Sequence, residues 1–405
     1  MRESELGSLV ASRLGDGARV VVAGNFATPW ELLRIVDASL ATWRAFVLNA
    51  QRGWPVRDGL VTETPFVGPG VRGDATMDYL PMRLSLVPRL FGTLRPPDAV
   101  LVHTSAPRDG KVSLGVEVNI LPSAIDRARE RGGLVLAQCN PQMPYTYGDA
   151  EIDVDLLDGV LEADSPLVAP VARPVDETAE AIGSAVAAYA SDGATLQLGI
   201  GAVPDAAAHH LVSLRDLKVW SEMVSDGVMA LDRSGALDAG TPVRASFLFG
   251  SPELYEWAHD NPRLEMLRTE TVHDPSRIAA QPRMLSVNTA LQVDLHAQAN
   301  ASHVGGAIYS GFGGQPDFVV GALHSPGGHA IIALRSWHEP SGSSNIVGAL
   351  DTPVCTFQHS VVVTEHGHAE VFGRSQRAQA RLLIETADPR ARDALWSDAQ
   401  ARSLA

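Results

Sequence analysis

Three short segments stand out for residue types and spacings that chemistry could use, two of them suited to an anion or an oxyanion. In LQLGIGAVPDAAAHHL at 196–211, an apolar run meets a Gly199-Ile200-Gly201 turn and then a helical pattern with Pro204 in its first turn. Exposed backbone N–H groups at a helix start suit an anion or a polarised carbonyl. Any α/β protein needs glycine at such a turn, and the segment is neither a P-loop nor a full dinucleotide fingerprint. YSGFGGQPDF at 309–318 sets Gly311, Gly313 and Gly314 within four residues, ahead of Gln315 and Pro316. That much glycine demands a tight turn or a closely approaching ligand, and such a loop can aim N–H groups at an oxyanion. In SVNTALQVDLHAQAN at 286–300, Leu291, Val293 and Leu295 alternate with Gln292, Asp294 and His296, which predicts a strand with one apolar and one polar face.

Other candidates are weaker. His366 and His368, beside Glu365 and Glu370, have the i, i+2 spacing that presents two metal ligands from one strand face, but the sequence shows no partners that would orient them, and no metal is expected. His209 and His210 point about 100° apart on a helix and form no single site. Glu117 in SLGVEVN and Glu270 are carboxylates to test as nucleophiles.

The elements that must position these residues read as α/β. Buried-strand runs at 18–24, 98–106, 133–140, 194–201 and 329–336 alternate with helical patterns at 29–43, 124–133, 176–193 and 374–387. The Pro-rich stretch 165–177 is the linker candidate and places a boundary near 178, giving domains 1–178 and 179–405. Each half opens with a strand, a glycine turn and a helix, a symmetry that fits two related α/β halves facing each other across a cleft.

A formal net charge of −15 and a pI near 5.3 argue against nucleic acid or an acidic membrane surface as partner. The opening residues include Glu3 and Glu5 and no apolar core of signal-peptide length, and no run approaches a membrane span, so a cytoplasmic protein is expected. Cys139 and Cys355 cannot build a disulfide framework and are expected as small buried hydrophobes. Phe26, Trp30, Met77, Met143 and Tyr145 are candidates for a pocket lining or for core packing.

Read together and in order, DYLPMRLSLVPRLF at 78–91, DGKVSLGVEVN at 109–119, CNPQMPYTYGDAEI at 139–152, LGIGAVPDA at 198–206, SEMVSDGVMAL at 221–231, the 286–300 segment, YSGFGGQPDF, GSSNIVGAL at 342–350 and VVVTEHGHAEVFG at 361–373 resemble the acetyl-CoA hydrolase/transferase family, including 4-hydroxybutyrate CoA-transferases. The resemblance implies two open α/β domains of CoA-transferase (NagB/RpiA-like) type, an active site in the cleft between them, and CoA held largely by the C-terminal half. It implies a ping-pong exchange of CoA between an acyl-CoA and a carboxylic acid through a glutamyl-CoA thioester, and a homodimer. Carried over by position, Gly199 and Gly201, with Ile200, Pro204 and Gln315, fall at the CoA site, Gly313 and Gly314 line the acyl site, and Gln292 takes the place of the nucleophile. His296, Ala297, the AGNFAT stretch at 23–28 and His366 also depart from the family pattern.

A carboxamide is neutral and weakly nucleophilic, and loss of a covalent nucleophile removes roughly 4–8 kcal/mol of barrier lowering. The resemblance thus implies altered acyl transfer, to water or to a second nucleophile. Gln292 would orient the acceptor or donate to the carbonyl, and Asp294, His296 or Glu117 would serve as base. Two other readings stay open: conventional exchange through another carboxylate, with an engineered Glu-to-Gln change as a variant of it, and acyl-CoA binding without turnover.

Overall fold

The computed structural model describes residues 1–170, 174–352, 354 and 358–405, and Cys355 lies outside them. The chain divides into two compact units, one of Met1–Val171, Pro242–Val272 and Tyr309–Gly313, the other of Ala172–Thr241, His273–Ile308 and Gly314–Ala405.

The first unit is built on a seven-stranded parallel sheet. Its order is Gly159–Glu162, Leu134–Cys139, Ala99–Thr104, Ala18–Val22, Trp43–Val47, Leu60–Thr64, Met77–Tyr79. Ala99–Thr104 and Leu134–Cys139 are buried at every residue, which is why they read as unbroken apolar runs in the sequence. The strand order reverses between Ala18–Val22 and Ala99–Thr104, so the carboxyl ends of these two strands form a topological switch point.

The second unit carries a six-stranded sheet in the order Lys218–Val219, Thr195–Leu198, Met284–Asn288, His329–Ala333, Val361–Thr364, Gly367–Glu370, parallel except for the last hairpin. Its switch point lies between Thr195–Leu198 and Met284–Asn288. Helix Glu177–Ala187, capped by Asp176 accepting from the Ala179 N–H, packs against helix Ala202–His210. Gly183 permits that approach, because a Cβ there would stand 2.6 Å from the Ala206 Cβ.

The mixed α/β architecture with parallel sheets agrees with the sequence reading; the division of the chain differs from it. Residues 242–272 and 309–313 belong to the first unit, although a single boundary near 178 assigned them to the second. Their place is fixed by long-range pairing. Leu264–Met266 pairs in parallel with Val243–Ala245 and with Tyr147–Gly148, and the Val67 N–H donates to the Ser310 carbonyl at 2.9 Å.

Candidate active site

At the carboxyl edge of the second sheet, the strand Thr195–Leu198 runs into Gly199, whose N–H donates to the Val287 carbonyl at 3.1 Å and ties the turn to the neighbouring strand. Gly201, with φ of 113°, holds a conformation an L side chain rarely adopts, and helix Ala202–His210 starts directly after it. Ile200 is exposed, and Pro204 is buried in the first turn, the turn in which the sequence placed it. Beneath the turn, the Ser286 hydroxyl and the Asn288 amide donate to the Gln197 Oε1 at 2.6 and 3.1 Å. Asp205, four residues after Gly201, is pushed up to about 6, first by burial and then by the nearby Asp226.

Three residues beyond the edge strand Lys218–Val219, at the same end of the sheet, stands Glu222. Its side chain is 24% exposed, and Oε2 lies 3.2 Å from the Nε2 of His273, which is wholly buried. Both touch Gly314, the cap of helix Gln315–His324: a Cβ there would lie 2.3 Å from the His273 Nε2 and 2.5 Å from the Glu222 Oε2. Only glycine lets these two side chains meet at the helix start, where the first N–H groups lack intrahelical partners. Gln315 is 7% exposed and donates from Nε2 to the Thr289 carbonyl at 3.3 Å; its Oε1 has no partner among the described residues.

In the first unit, Gly311 and Gly313 lie against Phe66, and the Leu84 N–H donates to the Gly313 carbonyl at 3.2 Å. Gly313 adopts φ of 55°. Glu117 is 1% exposed and sits in an amide network near the switch point of the first sheet. It accepts from the Asn25 Nδ2 at 2.7 Å and the Asn119 Nδ2 at 3.0 Å, while the Asn49 Nδ2 donates to the Asn25 Oδ1 at 2.7 Å. All three asparagines have positive φ.

The predicted continuous strand at 286–300 divides into three short strands. Met284–Asn288 is a central strand, and the short Gln292–Asp294 pairs with Ala299–Asn300 and Ile346–Val347. Val293 and Leu295 pack into a core cluster with Leu383, Ile384 and Leu395 of the C-terminal helices. Gln292 is half-buried beside this cluster, paired across the ladder with Asn300. Asp294, expected on a polar face, is 5% exposed. Its Oδ1 accepts from the His296 and Gln298 N–H groups and its Oδ2 from the Leu350 N–H, so it anchors a turn in which Ala297 takes φ of 57°.

The remaining candidates scatter. Glu270 is exposed on the short helix Thr269–Val272 of the first unit. His366 faces Asp388 and Glu365 at 3.8 and 3.9 Å, while His368 lies edge-on to Tyr189, so the two histidines address different neighbours. His210 pairs with Glu180 at 2.9 Å. Met143 is buried against Gly115 and Tyr145 donates to Glu151, both core uses, whereas Phe26 is half-buried against Phe249. Cys139 is buried, which raises its thiol pKa. Glu222 and His273 were not singled out in the sequence. The available signal was SEMVSDGVMAL, which contains one glutamate, but nothing local distinguishes it from a surface acid.

Two doubly wound parallel sheets, with glycine turns and a partly exposed carboxylate at the carboxyl edge of the second, define the class of CoA-transferase-type α/β proteins. The model of the acetyl-CoA hydrolase/transferase C-terminal domain matches residues 250–399. The 4-hydroxybutyrate coenzyme A transferase of Clostridium kluyveri is 38% identical over 96% of this chain and 96% of its own length. The chain belongs to the acetyl-CoA hydrolase/transferase family. Among solved structures, RipA from Yersinia pestis superposes with a TM-score of 0.91 at 26% identity over the whole of both chains. The 4-hydroxybutyrate CoA-transferase of Porphyromonas gingivalis gives 0.81 at 29% identity over 98% of this chain and 97% of its own. The protein is thus an enzyme of the CoA-transferase and acetyl-CoA hydrolase group. No helix among the described residues is long and apolar enough to cross a membrane.

Proposed function

We propose that this protein exchanges CoA between an acyl-CoA and a carboxylic acid, with Glu222 as the covalent nucleophile. The observation that carries this reading is the meeting of a partly exposed carboxylate with Gly314 and a helix start at the carboxyl edge of the second sheet. Glu222 attacks the thioester carbonyl, the C–S bond breaks, and CoA leaves as the thiolate, giving a mixed anhydride. The thiolate then adds to the Glu222 carbonyl carbon and the acyl group departs as a carboxylate, leaving a glutamyl-CoA thioester. A second acid reverses the sequence. Orphan N–H groups at the start of helix Gln315–His324 are suited to the developing oxyanion, and the Gly199-to-Gly201 turn to the CoA thioester region.

In this reading Gln292 need not supply a nucleophile, and its amide is compatible with conventional exchange. Mass spectrometry of the protein incubated with short acyl-CoAs, with and without carboxylate acceptors, tests it. A CoA adduct mapped to the peptide containing Glu222 is expected. Free CoA released with no adduct selects instead direct transfer or hydrolysis with Gln292 orienting the acceptor. Tight binding with neither leaves an acyl-CoA binder.

A further inference from the structure

His273 is buried completely, yet neither ring nitrogen makes an aligned hydrogen bond among the described residues. Buried polar atoms are nearly always paired, because an unmade hydrogen bond there costs about 1–3 kcal/mol. A merely structural histidine is normally tied through its nitrogens. Here the ring is held by shape instead: it lies edge-on to Phe318, with centroids 5.4 Å apart and planes at 75°, and it occupies the space that Gly314 leaves empty. Its Nε2 faces the Glu222 Oε2 at 3.2 Å. Catalytic hydrogen bonds in unliganded sites are often poorly aligned and tighten only when substrate turns the partner.

We infer that His273 is a further catalytic residue: its Nε2–H donates to the Glu222 Oε2, orienting the carboxylate for attack and then stabilising the oxyanion formed on that carboxyl group. When the CoA thiolate adds to the Glu222 carbonyl carbon, the sulfur–carbon bond forms as the carbonyl π electrons move to oxygen, and His273 donates to that oxygen. As the tetrahedral species collapses, the carbon–oxygen bond to the acyl group breaks and the acid leaves. No proton is consumed. The Gly314 and Gln315 amides serve the substrate's carbonyl, whereas His273 serves the enzyme's own. This inference rests on Glu222 being the nucleophile.

The test compares His273→Leu, His273→Asn and Glu222→Gln in steady-state exchange. His273→Leu is expected to lose about fifty-fold or more in kcat, while both KM values stay within about threefold. His273→Asn, which restores an N–H donor of shorter reach, should recover to within about tenfold of the wild type. Loss of less than about threefold in His273→Leu, or no rescue by Asn, overturns the inference. Should the Leu variant fail to fold, imidazole nitrogen NMR of the wild type and Glu222→Gln decides. The Nε2 resonance moves on Glu222→Gln if the contact is made, and an unchanged resonance overturns the inference. A fully active Glu222→Gln sinks the nucleophile assignment itself. An inactive Glu222→Gln beside an active His273→Leu sinks only the role of His273.

Discussion

The two units solve the same problem at their carboxyl edges in opposite ways. Each is an open parallel sheet with a switch point, and each carries a glutamate near that edge. In the first, Glu117 is sealed in and accepts from two asparagine amides held in left-handed backbone conformations. In the second, Glu222 keeps about a quarter of its side chain open and faces a histidine without an aligned bond. A carboxylate whose oxygens are met by buried amides is stabilised as an anion and shielded from substrate, so it behaves as a structural strut. One that is open and under-coordinated keeps its lone pairs for chemistry. Sequence proximity to a motif does not separate the two; hydrogen-bond occupancy and exposure do.

The comparison is broken most directly by Glu222→Gln, for which exchange should fall by about three orders of magnitude or more and the CoA adduct should vanish. Glu117→Gln, assayed below its melting point, should stay within about tenfold of the wild type. The reverse ranking would refute the contrast.

Gly314→Ala comes next. Its Cβ would stand within 2.3 and 2.5 Å of the His273 and Glu222 side chains, so the pair must separate. A displacement on the order of 1 Å predicts about a hundred-fold loss in kcat. An unaffected kcat would mean that their contact is irrelevant to turnover.

Glu117→Ala should act on stability. It leaves the Asn25 and Asn119 amides buried without this acceptor. At about 1–3 kcal/mol for each unmade bond, Tm should fall on the order of 5–10 °C. An unchanged Tm would show the network to be dispensable.

The smallest effect belongs to Asp205. Burial and Asp226 raise its pKa from 3.8 to about 6 in the fold. The folded protein therefore holds that proton more tightly than the unfolded chain. Its stabilising contribution is complete below 3.8 and is lost as pH rises through about 6. Asp205→Asn should raise Tm modestly at pH 7.5, with the gain shrinking between pH 6 and 4. A gain independent of pH would show that the carboxylate's charge is not its source.

Much of the fold was legible because strands buried on both faces must be apolar throughout. Ala18–Val22, Ala99–Thr104, Leu134–Cys139, Thr195–Leu198 and His329–Ala333 all fall within the runs read from the sequence. Met284–Asn288 reads in the sequence as part of a half-exposed strand, since Ser286 and Asn288 interrupt its apolar pattern. Both are buried or half-buried there because Gln197 on the neighbouring strand supplies their hydrogen-bond partner. Trp43–Val47 and Leu60–Thr64 show no unbroken apolar run for a related reason. Arg44 and Glu63 interrupt their apolar character, yet Glu63 is buried because Arg19, Arg44 and Arg95 surround it.

The candidate site was legible only in its glycines. Gly199, Gly201, Gly313 and Gly314 announce themselves because a backbone that must turn or be approached closely tolerates little else. The sequence by itself determined the α/β alternation, the glycine turns and the family, since these depend on local periodicity, backbone sterics and ordered motifs. Only the tertiary structure decided which acid is open and which is sealed. Glu222 meets His273 across fifty-one residues of chain and Glu117 meets Asn25 across ninety-two. Contacts between residues so distant are set by strand order and packing, which leave no trace in the spacing of the residues themselves.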